Sequence, residues 1–269
     1  MNTKEELSLQ VLVVTMNQND FSLIEKMKIK GNALIGNQCA RNQVESYSNE
    51  NGSVTMYSFN ERGVGLNRNN LLMRATADIV LFADDDVVYD EGYQELILNE
   101  FKKHPEADVI TFNVVPIPDT IPPDLNLKWK KVGKLNCLKY GAPRIAARLD
   151  KLRSKNLYYS LLFGGGAKYS SGEDSLFIMD CVKSGLKIYA APVKIGYVYF
   201  ETSSWFTGYT AKYFKDKGLF FYYLSPRFYK LLCLQYCFRR GNLFKEFYTA
   251  KQAYKLMIEG VKLHKIGEY

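Results

Sequence analysis

Residues Ile79-Val80-Leu81-Phe82-Ala83 run without a polar break into Asp84-Asp85-Asp86. A short apolar run with no polar face needs cover on both sides, as a central strand of a parallel sheet receives from flanking helices. Such a strand must end at the surface, and this one ends in three adjacent acids. Neighbouring carboxylates repel and raise one another's proton affinity unless a cation or hydrogen-bond donors satisfy them. A hard divalent cation, Mg²⁺ or Mn²⁺, answers that need, because it takes oxygen ligands and bridges one or two carboxylates to substrate phosphates. An acidic loop after a buried strand is the ligand-free alternative.

The rest of the chain alternates in the same way. Leu9 to Thr15, Asn32 to Gly36, Val54 to Phe59, Asp78 to Ala83 and Asp108 to Val115 read as strands. Asp20 to Lys28, Leu66 to Ala75 and Glu91 to Lys103 read as helices between them. This βαβ succession predicts an α/β fold: a doubly wound, mostly parallel sheet with flanking helices and ligands bound outside the carboxyl ends of its strands. Thr15, Asn17 and Asp84 to Asp86 all fall at those ends.

Composition narrows the class. With 269 residues and 47% of them hydrophobic, the chain can bury a sizeable core. Met1 to Gln10 lack the pattern of a signal peptide, and the most apolar long stretch, Leu219 to Phe238, is interrupted by Pro226, Arg227, Lys230 and Gln235. Cys39, Cys137, Cys181, Cys233 and Cys237 form no CxxC pair and are odd in number, as suits reduced thiols, and Cys233 and Cys237 read as packing. His104 and His264, the two histidines, lie far from the acids and read as surface residues, which disfavours a histidine metal cluster or a Ser-His-Asp triad. The charge of +8 is concentrated after Pro226, where nine Lys or Arg face three Glu. That distribution argues against nucleic acid as a partner and for an anionic surface met by one end of the molecule.

Residues 116 to 170 are the least regular. Prolines 116, 118, 122 and 123, then Lys128-Trp129-Lys130-Lys131 and Tyr140-Gly141-Ala142-Pro143-Arg144, predict a long excursion over the crevice. Gly164-Gly165-Gly166 either lets backbone approach a ligand closely or forms a flexible turn. It is not a Walker loop, lacking GK[ST] at the required spacing. Ser170-Ser171-Gly172-Glu173-Asp174 then opens a helix through Leu176, Phe177, Ile178 and Val182, where a capping serine and first-turn acids are the ordinary structural reading.

Taken in order, Val11-Leu12-Val13-Val14-Thr15, Gly63-Val64-Gly65-Leu66-Asn67-Arg68-Asn69, Asp84-Asp85-Asp86 and Gly172-Glu173-Asp174 resemble the family 2 glycosyltransferases of the GT-A fold, over about residues 9 to 205. The resemblance implies an inverting, metal-dependent transfer of a sugar from a nucleotide diphosphate, UDP above all, to a glycan or lipid-linked acceptor in bacterial surface-polysaccharide synthesis. It assigns Asp174 as catalytic base, and Asp86 as metal ligand with Asp84 toward the ribose or a metal-bound water. Thr15, Asn17, Asn37, Arg62, Arg68, Asp84 and Asp85 would contact the donor, and Gly165, Gly166, Glu173 and Trp205 the acceptor. Two departures stand out. Asn37 is neutral where many relatives carry an acid, and the stretch from Tyr199 to Trp205 lacks the family's later histidine, leaving Glu201 as a weak substitute. A sugar-phosphate nucleotidyltransferase shares such a sheet but would show a glycine-rich loop with Arg and Lys after the first strand, absent from Thr15 to Asp20. An inactive carbohydrate- or nucleotide-binding scaffold is disfavoured by retention of all four acids.

The expected organisation is a catalytic domain over 1–225 and a basic amphipathic helical tail over 226–269. In the tail, Leu243, Phe247, Ala250, Tyr254, Met257 and Val261 recur at steps of three and four, one apolar stripe. The stripe either packs on the domain, lies on an anionic membrane, or pairs with a second copy in a homodimer. The tail charge and the resemblance together imply a cytoplasmic protein, peripheral on the inner face of the cell membrane.

Overall fold

The computed structural model describes residues 6–49, 52–117, 124–199 and 208–269. The first half runs β1 (Leu9–Met16), α1 (Ser22–Lys26), β2 (Asn32–Gln38), β3 (Gln43–Asn49), β4 (Gly52–Phe59), α2 (Val64–Arg74), β5 (Ile79–Asp84), β6 (Val87–Tyr89), α3 (Tyr93–Lys103) and β7 (Val109–Ile117). The second half adds β8 (Lys130–Val132), β9 (Ile145–Arg148), α4 (Leu149–Ser154), α5 (Glu173–Lys183), β10 (Ile188–Tyr199), α6 (Ala211–Leu224), α7 (Tyr229–Phe244) and α8 (Ala250–Lys265).

These strands form one sheet in the order β3-β4-β2-β1-β5-β9-β7-β10-β6, with β8 on β10. The β4-β2-β1-β5 block is parallel, and so is β7 on β10. Alternation along β1 shows why the sheet is buried on both faces. Leu12 and Val14 join the cluster under α2, α5 and α6 to α8, while Val11 and Val13 join the opposite cluster under α1 and α3.

The irregular stretch is only partly an excursion. The chain returns to the sheet at Ile145 to Arg148 and threads between β5 and β7, antiparallel to both, with Ile145, Ala146 and Ala147 fully buried. Ile-Ala-Ala-Arg has little intrinsic strand preference, so its state comes from the two neighbours that take its hydrogen bonds.

The C-terminal stripe is also not one helix. Residues 245–249 separate α7 from α8, and a capping box of Thr249 with Gln252 starts the second helix afresh. Met257, Val261, Ala253 and Gly260 of α8 are buried, whereas Leu243 and Phe247 are exposed. One continuous cluster of buried side chains runs from Phe82 and Phe177 through Phe214 of α6 to Cys233, Cys237, Phe244 and Met257, crossing the boundary expected at 225/226. The packing of α6 on α8 is backbone to backbone. A Cβ on Gly218 would lie 2.1 Å from the Met257 carbonyl oxygen, and one on Gly260 would lie 2.7 Å from Lys215 Cα. His264 belongs to this assembly too, bonded to the Tyr169 and Tyr223 hydroxyls at 3.1 and 3.2 Å, and His104 stacks on Trp129 at 3.7 Å; neither is the bare surface residue expected.

Gly218→Val should therefore lower the free energy of unfolding by about 1–3 kcal/mol or more through overpacking. Leu231→Ser, on the exposed side of α7, should change it by less than about 0.5 kcal/mol. Urea unfolding checks both; equal midpoints for wild type and Gly218→Val would mean that α8 is not seated on α6 in solution.

Candidate active site

The carboxyl ends of β1, β2 and β5 meet at one crevice, and α2 closes its floor. Each residue of Asn67-Arg68-Asn69 has a separate task there. Asn67 Nδ2 donates to the Gly36 carbonyl at 2.7 Å, and a Cβ on Gly36 would sit 2.0 Å from Asn67 Oδ1, so only glycine admits the contact. Asn69 brackets the Tyr159 backbone, accepting from its N–H at 2.7 Å and donating to its carbonyl at 2.9 Å. Arg68 points inward between them.

The Arg68 side chain is 3% exposed and binds three carboxylates. Nη2 reaches Asp84 Oδ1 at 2.7 Å, while Nη1 reaches Asp174 Oδ1 at 2.7 Å and Glu173 Oε1 at 3.3 Å. Its Cζ lies 5.0 Å over the Tyr159 ring, which stacks on Phe177. One cation thus ties the last residue of β5 to the first turn of α5, about ninety residues further along the sequence. Burial opposes the charge on Arg68, but Asp174 and Asp84 outweigh it and hold the guanidinium firmly protonated.

Asp174 is fixed from a second side by the Ala142 N–H, which donates to Oδ2 at 3.0 Å. Its carboxyl is pushed up to about 7 by burial first, with Glu173 and Asp84 adding repulsion and Arg68 and Ala142 opposing. The N-cap of α5 is Gly172 rather than a serine, and its φ of 124° is open to glycine. A Cβ there would meet the Phe220 ring at 2.4 Å, so α6 presses directly on the helix start.

The other acids point elsewhere. Asp85 accepts from the Thr15 hydroxyl. Asp86 keeps a buried oxygen, Oδ1, with no hydrogen-bond partner among the described residues. Burial pushes its carboxyl up to about 7, Asp84 and Asp85 contribute, and a backbone hydrogen bond and Lys26 oppose. The described residues contain no group of three side chains able to cage a metal. An orphaned carboxylate oxygen among repelling acids nonetheless suits a Mg²⁺ or Mn²⁺ ion that takes one or two protein carboxylates and completes its shell with substrate phosphates and water.

Around the crevice the loop after β1 is held by Asn37. Fully buried, Asn37 accepts from the Gln18 N–H and donates to the Gln18 carbonyl, both at 2.9 Å, and to Ser58 Oγ at 3.0 Å. Its neutral amide is thereby occupied in shaping the loop. Asn17, in that loop, is exposed with a φ of 56°, and Arg62 extends over Met16 and the Gln38 carbonyl. The glycine triplet meets protein rather than open space. Gly165 caps α2 by accepting from the Val64 N–H at 2.8 Å, and a Cβ on Gly166 would lie 3.0 Å from the Gly63 nitrogen. Trp205 and Glu201 lie outside the described residues. Tyr159 had no signal in the sequence beyond its type, since its role arises from a contact with Asn69, ninety residues away.

Residues 40–163 match the model of glycosyl transferase family 2. The middle of the chain is thus similar to the glycosyltransferases of family 2. The matched segment holds Arg62, Arg68 and the three acids, while Thr15, Asn17, Glu173 and Asp174 lie outside it. No curated protein sequence matches the chain. Among solved structures, S. aureus TarS 1-349 in complex with UDP-GlcNAc superposes with a TM-score of 0.66 at 17% identity, over 94% of this chain and 79% of that one. The same fragment with UDP gives 0.64 at 16%, over 97% and 83%. A longer TarS chain gives 0.56 at 15%, with 80% of this chain covering 39% of that one. At such identities the likeness is one of fold, and that fold is GT-A.

The raised Asp86 carboxyl makes a signed prediction. With a folded pKa of about 7 against an ordinary 3.8, the fold favours the protonated form; that stability is present below the ordinary value and lost as pH rises through about 7. In EDTA, Asp86→Asn should melt higher than wild type at pH ~8, the gap closing toward pH ~4. Parallel melting curves across that range would show that Asp86 carries no such strain.

Proposed function

We propose that this glycosyltransferase moves a sugar from a nucleotide diphosphate, UDP foremost, to a hydroxyl of a glycan or lipid-linked acceptor in surface-polysaccharide synthesis, with inversion at the anomeric carbon. The observation that carries the reading is the shared guanidinium, which fixes Asp174 beside the acids ending β5. The UDP-GlcNAc and UDP bound to TarS structures of the same fold support a uridine donor.

In the proposed reaction Asp174 takes the proton from the acceptor hydroxyl while its oxygen forms the new bond to the anomeric carbon. The bond to the diphosphate breaks on the opposite face, and its electron pair leaves with the phosphate oxygen. A base with a pKa of about 7 suits this work near neutrality, where it is ionised yet retains affinity for a proton. Arg68 holds the carboxylate in place and keeps its Oδ2 turned to Ala142. Asp86 and Asp84 would hold the Mg²⁺ or Mn²⁺, which when bound stabilises the growing charge of the leaving diphosphate. Thr15, Asn17 and Arg62 border the space for the nucleotide.

Asp174→Asn keeps the shape and the bond from Ala142 but cannot accept a proton. Turnover should fall at least ~10²-fold with donor binding nearly unchanged, and wild-type kcat should fall as pH drops below about 7. Proton NMR of the product should show an anomer opposite to the donor's. A matching loss of donor affinity would reassign Asp174 to nucleotide binding, and transfer undiminished in excess EDTA would remove the metal from the reading.

A peripheral membrane position finds its support in α7 rather than α8. Leu231, Leu234 and Phe238 are exposed on one side of α7, with Arg227 and Lys230 beside them, a basic apolar face suited to anionic lipid. The protein should co-sediment with anionic and not neutral liposomes, and Leu231→Ser with Phe238→Ser should release it at unchanged melting temperature. Equal recovery with both liposomes would end the membrane assignment.

A further inference from the structure

Beside Asp174 a cavity of about 620 Å³ opens between the segment from Leu138 to Gly141 and the helices α6 and α7. Its inner wall is cationic. Lys217 of α6 is seated among aromatic rings, with Nζ 5.0 Å from the centre of Phe220, 5.7 Å from Tyr213 and 6.0 Å from Tyr236. Such rings favour a cation but supply no counter-charge. Burial lowers the Lys217 pKa, against the weak support of Asp216 and Glu173.

Neither acid is available to pair with it. Asp216 accepts from Lys212 at 2.7 Å, from Ser170 N–H at 3.1 Å and from the Tyr269 hydroxyl at 2.6 Å. Glu173 is held by Arg68 at 3.3 Å and by the Gly172 N–H at 3.1 Å. Among the described residues no carboxylate lies within ion-pair distance of Lys217, Arg239 or Arg240, and all three line this cavity. Lys217 is a cation taken out of water without an ion-pair partner, which is costly, and the exposed Arg239 and Arg240 add positive charge at the mouth of the same hollow; together they call for an anion from outside the chain. The cavity face of α7, with Leu232, Tyr236 and Arg239, is also turned away from Leu231, Leu234 and Phe238, so the two surfaces of that helix do not compete.

We propose that this cavity is the acceptor site and that the acceptor is anionic: a phosphate or carboxylate on it pairs with Lys217, Arg239 and Arg240 while its hydroxyl meets Asp174. The proposal rests on the glycosyltransferase reading above. It makes the C-terminal helices part of the specificity machinery, because two of the three cations come from α7.

The other source of an anion is the donor's own diphosphate, so the test is run with UDP at saturation. Equilibrium binding of glucose 6-phosphate, glucuronic acid and methyl glucoside is measured for wild type, for Lys217→Met and for Arg239→Gln with Arg240→Gln. Wild type at low salt should prefer both anionic probes over methyl glucoside by at least about tenfold, and salt should erode the preference. Either variant should reduce it while leaving UDP affinity unchanged. The arginine pair is exposed, so that variant stays informative if Lys217→Met fails to fold. Equal affinities for the three probes, a preference that survives both variants, or displacement of the anionic probes by UDP would each overturn the proposal. Failure of UDP to bind any form would instead count against the donor reading, with the probe preference scored independently of it.

Discussion

A single buried guanidinium organises this molecule. Arg68 joins the acid that ends the central strand to the two acids that begin α5, and no second cation substitutes for it within that cluster. Removing one partner of a buried charge network leaves the others uncompensated, typically at about 3–5 kcal/mol. Three carboxylates around one positive charge also leave the cluster short of cations. Burial first, and then the neighbouring carboxylates, raise the proton affinity of Asp174, and at Asp86 the same two causes act on a carboxylate with one unpaired oxygen. In the proposed reaction the same imbalance that costs stability serves the base and the divalent ion.

Holding this arrangement requires backbone to come closer than side chains allow. Gly36 lets Asn67 reach the end of β2, Gly172 lets Phe220 press on the start of α5, and Gly218 with Gly260 brings α6 and α8 into contact. These close approaches form a chain of supports from the sheet to the C-terminal helices. The helices therefore support the candidate site: α6 braces Gly172, two residues before Asp174, and α6 with α7 provides the far wall of the cavity.

The two sides of the crevice differ in charge for a reason that follows from this division. The side at the end of β5 is rich in acids and needs cations. The side lined by α6 and α7 is rich in cations and needs an anion. Asp174 sits between them, where the proposed reaction places the proton acceptor for a hydroxyl arriving from the second side.

Much of this was legible in the chain itself. Unbroken apolar runs at residues 9–15 and 79–83 determined central, doubly covered strands, because no other element buries both faces over so short a length. The acids closing one run and the Gly172-Glu173-Asp174 helix start marked the proposed chemistry, because a sheet's carboxyl ends and a helix's first turn are where such groups are exposed to a ligand. Tertiary structure alone decided the remainder. Ile145 to Arg148 became a strand only because β5 and β7 left a gap between them, and the apolar stripe after Leu243 split because α8 found α6 to pack on. Arg68 looked like a residue for phosphates and Asn37 like a base contact, yet the fold turned the first onto three carboxylates and the second onto its own loop. Lys217, Arg239 and Arg240, which have no ion-pair partner among the described residues, belong to the same class. Charge is written in the sequence, but whether a charge has a partner is a matter of distance, and distance is set only when the chain has folded.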